Sequence, residues 1–224
     1  MKKTYLLLLS LVSFSLYGQT QLIGLKSGTS FTNINYENYP DDNNTRNGFL
    51  AGLTYGFQFE NKFQLELELC YLQKGFRSEI IFTNETGIPT GEQYIYDFNY
   101  DYLSIPIKGG YRIGNKFSGF INLGLVPSFL LNATYEIPAI RNLPEEKGNN
   151  TDVVNKFDLG GLIELGTSYK LGDQFLIFTT VGYQQSVTSI TNDSYYKDSK
   201  IKHFGVSIAA GIMFSLPQKI KPKK

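Results

Sequence analysis

Between Phe63 and Lys74 the chain reads FQLELELCYLQK, with Phe63, Leu65, Leu67, Leu69 and Tyr71 at a strict spacing of two. Gln64, Glu66 and Glu68 stand between them, and Lys74 continues the polar set. A strand sends successive side chains to opposite faces, whereas a helix with its 3.6-residue period would scatter this pattern. One face is therefore wholly greasy and the other charged. The question that governs the fold is which face points inward.

The same rhythm recurs along the chain. Leu22 to Phe31 reads as a first strand, with Ile23, Leu25 and Phe31 opposite Gly24, Lys26, Gly28 and Ser30. Phe49 to Phe59 is the second and Phe63 to Lys74 the third. Tyr102 to Ile113 is the fourth, with Lys108 and Arg112 on its polar side and Pro106 as a local weakness or bulge, because proline cannot donate to a ladder. Phe117 to Phe129 is the fifth. Phe157 to Leu171 is the sixth, with Asp158, Glu164 and Lys170 on the polar side. Phe175 to Val187 is the seventh; Leu176 and Phe178 make its second side less polar. Lys202 to Phe214 is the eighth.

Asn61-Lys62, Gly114-Asn115-Lys116 and Gly172-Asp173-Gln174 are short turns. Between them lie long polar loops over Asn33–Asn47, Ser78–Asn99, Asn132–Lys156 and Thr188–Lys200. Within the second of these, YIYDFNYDY is tyrosine-rich enough to extend the strands. Connections that alternate long and short, with an even number of strands, are the pattern of an up-and-down membrane barrel. The expected fold class is all-β: an eight-stranded antiparallel transmembrane β-barrel. Its short turns would be periplasmic and its four long loops extracellular.

The N-terminus reads as a secretory signal. Lys2 and Lys3 precede the apolar run Leu6–Leu16, which is too short to span a bilayer, and Gly18 precedes a cut before Gln19. Leu16 is not the small residue expected two positions before Gly18, and no cysteine at the junction offers a lipid anchor. The expected division is a signal peptide over residues 1–18, a barrel over 19–214 and a basic tail over 215–224. No later run is long and apolar enough for a membrane helix, so a spanning structure must be a closed barrel. Twenty-one Lys+Arg against 20 Asp+Glu give no pull toward nucleic acid. Cys70 is the single cysteine, so no intramolecular disulfide forms.

A soluble lipocalin-like barrel also alternates, but with the greasy face inside. Two features favour the inverse. Glycines crowd the polar face, at Gly24, Gly28, Gly52, Gly56, Gly124, Gly160, Gly166, Gly182, Gly205 and Gly211. A narrow interior needs small residues beside large ones, and a solvated outer surface does not. Aromatic residues also mark both ends of the greasy face. Phe57, Phe59, Phe63, Tyr111, Phe117, Tyr169, Phe175 and Phe214 lie toward the short turns, and Phe31, Phe49, Tyr71, Phe129 and Phe204 toward the loops. These form two candidate interfacial girdles.

The opening GLKSGTSF, the segments LELELCYLQKGF and YLSIPIKGGYRI, and the closing FGVSIAAGIMF resemble the small porin-like, PorT-like outer-membrane barrels of Bacteroidota. The resemblance covers nearly the whole mature chain, and the pairing of LQKG with YLSIPIK is its most distinctive part. It implies a barrel in the outer membrane of a Gram-negative bacterium, with no shared catalytic motif and with assembly into a secretion or envelope complex allowed. The ten residues after Phe214 depart from the usual barrel end.

The lumen face collects Lys26, Glu66, Glu68, Lys74, Lys108, Arg112, Asp158, Glu164 and Lys170. Charges in a narrow interior must pair, so the expectation is a structural salt-bridge network that plugs the barrel; a narrow ion path is the alternative. Glu66 and Glu68 have a carboxylate-pair spacing, but nearby bases favour pairing over acid–base catalysis. His203 is the only histidine, which excludes a multi-His metal site; it would serve a lipid-modifying hydrolase only with Ser207 or Ser104 beside it. Cys70 reads as a buried filler, with no base placed to activate it. The run Asp41-Asp42-Asn43-Asn44 lacks the glycine and terminal glutamate of a calcium loop. The expected protein is a monomeric structural or binding barrel, not an enzyme, without cofactor. Its partners would be outer-membrane lipid and an envelope or secretion-complex protein.

Overall fold

The computed structural model describes residues 20–36, 43–140, 144–192 and 200–216. The proposed signal peptide, Asp41, Asp42 and the lysines of the basic tail lie outside the described residues. The strands are β1 (Thr20–Tyr36), β2 (Asn43–Gln58), β3 (Phe63–Thr83), β4 (Pro89–Ser104), β5 (Ile107–Gly114), β6 (Phe117–Ile137), β7 (Glu146–Asn149), β8 (Phe157–Leu171), β9 (Phe175–Ser186) and β10 (Ile201–Ser215). All pairings are antiparallel. β1 pairs with β2 on one side and with β10 on the other, from Leu22 opposite Ser215 to Tyr36 opposite Ile201. β2 pairs with β3, β6 with β8, β8 with β9 and β9 with β10, so the sheet closes on itself.

β4 and β5 form one stave between β3 and β6, which makes eight staves in the ring. The break between them falls at Ile105-Pro106, where Pro106 has no N–H to give. The wall stays shut there. Ile105 N donates to Pro127 O at 2.8 Å, and Glu68 N donates to Pro106 O at 2.9 Å. Ser104, Pro106 and Lys108 are all buried, so the interruption does not flip the faces. β7 is a short strand paired with the outer end of β6.

The inverted arrangement holds. Leu65 and Leu67 are 50% and 47% exposed, while Glu66 and Glu68 are 8% and 3% exposed. Equivalent outward residues on the other staves, such as Leu25, Leu53, Ile107, Leu123, Leu165 and Ile208, are also exposed. A lipocalin-like arrangement would have buried them. Aromatic pairs lie at both edges of this belt. Phe63–Tyr111 and Phe175–Phe214 stand 5.4 Å apart at the short-turn rim, and Phe129–Phe157 stand 5.6 Å apart at the other. From Phe63 to Tyr71 the strand rises about 27 Å, or about 20 Å along the axis at a tilt near 40°, close to the ~25 Å apolar band of such barrels.

The short turns fit their residues. Lys62 takes a positive φ of 72°, and its N–H donates to Phe59 O at 3.1 Å. Gly114 and Gly172, with φ of 110° and 67°, occupy the left-handed region that a missing Cβ makes accessible.

Several staves run far beyond the belt. β3 has 21 residues, about 70 Å of strand. The segment Ser78–Asn99, expected as a loop, is mostly strand: β3 continues to Thr83 and β4 begins at Pro89, so YIYDFNYDY does extend the wall. The turn between them is capped by Asn84, whose Oδ1 accepts from Thr86 N at 3.0 Å and Ile88 N at 2.9 Å. The segment Asn132–Lys156 likewise contains the end of β6 and β7. Once both faces of a ribbon meet water, side chains no longer need to alternate, so the sequence pattern that marks the membrane part fades.

Candidate functional site

Inside the barrel, charged side chains from β1, β3, β5 and β8 converge at mid-height. Lys26 Nζ donates to both carboxylate oxygens of Glu68 at 3.0 Å and to Glu164 Oε2 at 3.2 Å. Lys108 Nζ donates to Glu68 Oε1 at 2.8 Å and Glu164 Oε1 at 2.7 Å, and pairs with Glu66 Oε2 at 2.9 Å. All five residues are buried. Strand register explains the convergence: Glu66 faces Lys108 directly across β3 and β5, and Asn122 faces Glu164 across β6 and β8.

Arg112 joins this cluster through neutral relays. Its Nε donates to Gln64 Oε1 at 3.0 Å, Gln64 Nε2 donates to Asn122 Oδ1 at 2.7 Å, and Asn122 Nδ2 donates to Glu164 Oε1 at 2.9 Å. The guanidinium also donates to Ser168 Oγ at 2.9 Å and lies 5.3 Å over the Phe120 ring.

Higher in the lumen Lys74 Nζ donates to Asp158 Oδ2 at 2.7 Å. Ser186 and Thr188 hydroxyls donate to the same carboxylate at 2.8 and 2.9 Å. Eight of the nine expected lumen charges are thus brought inside and hydrogen-bonded, four basic and four acidic. Burial of each charge is offset by opposite charge and by neutral donors.

Lys170 is the exception. It lies on the lumen side of β8 by parity but is exposed, near the turn to β9. At that rim its long side chain reaches water, and the network excludes it.

The lumen glycines make room for large neighbours. A Cβ on Gly166 would clash with the edge of the Phe120 ring, and one on Gly211 would meet Phe178 Cζ at 2.5 Å. Apolar residues complete the filling. Leu22, Leu176, Phe178 and Met213 cluster toward the short-turn rim, so Leu176 and Phe178 are inward, as the less polar side of the seventh predicted strand implied. Toward the long extensions Ile34, Phe76, Tyr102, Leu130, Val154 and Ile190 belong to a second cluster. This plug was not read from the sequence, because Val154 and Ile190 lie in connections. They are held there by backbone bonds. Asn155 N donates to Ile190 O at 2.9 Å, and Ile190 N donates to Ile201 O at 2.8 Å.

The remaining candidates resolve locally. Glu66 and Glu68 both face Lys108, which places them as counter-ions. Cys70 is buried, with Sγ 3.6 Å from Glu68 Oε2, and no basic group is its hydrogen-bond partner among the described residues. His203 is fully enclosed between the Tyr100 and Tyr102 rings, 5.0 and 6.1 Å away. Among the described residues neither ring nitrogen has a hydrogen-bond partner, so neither Ser207 nor Ser104 is paired with it as a hydrolase would require.

A closed ring of antiparallel staves, greasy outside and ion-paired within, is matched by a family comparison. Residues 17–192 fit the family model described as the outer membrane protein beta-barrel domain. The chain belongs to that family. Among solved structures, the outer membrane protein beta-barrel domain seen here is similar to OprG from Pseudomonas aeruginosa, at 14% identity and a TM-score of 0.47, covering 90% of this chain and 97% of that one. It is also similar to Neisserial surface protein A, at 10% identity and a TM-score of 0.46, covering 87% and 97%. For the attachment invasion locus protein Ail of Yersinia pestis the values are 15%, 0.41, 86% and 98%. Comparison with curated proteins returned no match.

Proposed function

We propose that this outer-membrane barrel is a plugged, monomeric structural or binding protein of the PorT-like group, and that it works through its extended rim. Its N-terminal segment would act as a secretory signal, and its location would be the outer membrane of a Gram-negative bacterium. The observation that carries this reading is the mid-lumen cluster of Lys26, Lys108, Glu66, Glu68 and Glu164. It draws side chains from four staves into one ion-paired group at the centre of a narrow barrel. An eight-stranded interior is wide enough only to be filled by side chains. The rim offers a different surface. The β3–β4 ribbon projects past its neighbours and exposes Ile80, Ile81, Ile88 and Ile95. A partner in the envelope or in a secretion complex would meet the protein there.

Two experiments test this. The protein, reconstituted in planar bilayers, should show no stable open steps; steady conductance would favour the narrow-pore reading instead. Photo-crosslinkers placed at Ile81 and Ile95 in native envelopes should capture a protein partner more strongly than one at Leu67 in the lipid belt. Equal capture at all three positions would remove the case for a working rim.

A further inference from the structure

Between the mid-lumen ion cluster and the outer apolar plug the lumen contains a cavity of about 60 Å³. Lys26, Cys70, Lys74, Ser104, Gln184 and His203 border it. Small residues create the space. Ser207 stands where a larger side chain would fill it, and Gly182, on the adjoining stretch of β9, has the Ser207 hydroxyl as a near neighbour; Gly205 borders the space but packs its Cα against β1 at Phe31 and Thr32.

Several polar atoms facing this space lack partners among the described residues. His203 is 2% exposed, and neither its Nδ1 nor its Nε2 makes a hydrogen bond. Gln184 Nε2 is buried and also unmet. Lys74 directs one proton to Asp158, and an ammonium has three. Buried polar groups in this state are strongly disfavoured unless something bonds to them. Polar cavities of sufficient size hold water, whereas apolar ones stay dry.

We infer that this chamber binds a cluster of about four to six waters, at ~10–15 Å³ each, which bridges His203, Gln184 and Lys74. The inference rests on the plugged-barrel reading. Water suits the site better than an anion for two reasons. A neutral imidazole needs a partner that donates to one nitrogen and accepts from the other, which water does and a simple anion does not. The carboxylates of Glu68 and Glu164 also border the chamber, and Asp158 holds Lys74. The floor is the ion cluster. On the outer side, His203 separates the chamber from the apolar cluster that includes Tyr102, Val154 and Ile190, the Tyr102 ring standing 6.1 Å from the imidazole.

The chain has one histidine and one cysteine, and both line the chamber, so each is an unambiguous reporter. Protein labelled with ¹⁵N-histidine and folded in detergent micelles should show one ring tautomer, with cross-peaks from the ring N–H to water. Ser207→Leu, which fills the chamber, should weaken those cross-peaks at least tenfold while the folded, heat-modifiable band remains. Ser104→Val serves the same purpose if Ser207→Leu does not fold. A ring N–H that contacts only protein protons, or cross-peaks unchanged in a folded filling variant, would overturn the inference. These outcomes are separable from failure of the plugged reading. A dry imidazole in a non-conducting barrel counts against the chamber alone, whereas steady conductance counts against the plug first.

Discussion

Lys74 on β3 and Asp158 on β8 are 84 residues apart in sequence and 2.7 Å apart across the lumen. Neither strand is adjacent to the other in the ring. The pair therefore ties opposite walls directly, independently of the backbone ladder. Lys74→Met should leave Asp158 buried with only Ser186 and Thr188 as donors, and cost about 3–5 kcal/mol. Lys74→Met with Asp158→Asn should recover much of that loss, because no uncompensated charge remains. Urea unfolding of both variants in lipid vesicles, followed by heat-modifiability, gives the comparison.

Lys108 should be the more damaging single loss. It contacts Glu66, Glu68 and Glu164, and its removal leaves three carboxylates to Lys26 and the Arg112 relay. Lys108→Met is expected to lower the yield of folded barrel sharply. Adding Glu164→Gln should restore part of it, since one buried negative charge is then gone. If the single variant folds as well as the parent, the cluster does not hold the barrel together.

The lipid belt should respond to charge by depth. Leu67 lies midway between the Phe63 and Tyr71 ends of the exposed apolar row, and Phe63 lies at the rim. Leu67→Arg is expected to cost about 2–4 kcal/mol, and Phe63→Arg about 0–1 kcal/mol. Unfolding midpoints in vesicles measure the difference. Equal costs would mean that the belt has been placed at the wrong height.

Gly166 and Phe120 face each other across β8 and β6 and share one side chain's worth of space. Gly166→Leu should block folding or lower stability by several kcal/mol through overpacking. Combining it with Phe120→Ala should rescue folding, as the volume is then exchanged between staves. Failure of the double variant to fold would show that the glycine is needed for something other than the ring.

The outer half of the β3–β4 ribbon should be dispensable to the barrel. Among the described residues its tip, from Ile80 to Ile95, pairs only with itself, because β2 leaves β3 at Ser78 and β6 reaches β4 only from Asp97. Replacing residues 81–94 by a two-residue turn should preserve the heat-shifted band. Loss of folding would move the ribbon from rim to scaffold.

The sequence discloses this fold where a residue must satisfy lipid on one side and a packed lumen on the other. Phe63 to Tyr71 alternates for that reason, and so do the equivalent stretches of the other staves. Eight of the nine expected lumen charges follow from the same parity. Parity carries no height, however, so Lys170 could be placed on a face but not at a wet rim. Nor does alternation register bulges. Asp101 pairs with Asn132 and Tyr102 with Leu130, so Leu131 is an extra residue. It turns outward while Leu130 and Ala133 both point inward. The relays through Gln64 and Asn122 depend on cross-strand register, which a single strand's pattern does not contain. The outer plug was missed because Val154 and Ile190 come from connections whose apolar residues obey no period.

The seam between β1 and β10 carries one more consequence. The first stave can find its second neighbour only after the last has been made, so closure is a global event that no growing fragment can rehearse. Until then every intermediate is an open ribbon with two hungry edges and an oily flank. Lipid that covers the oily flank while the two edges meet would therefore favour the joined circle over every open ribbon.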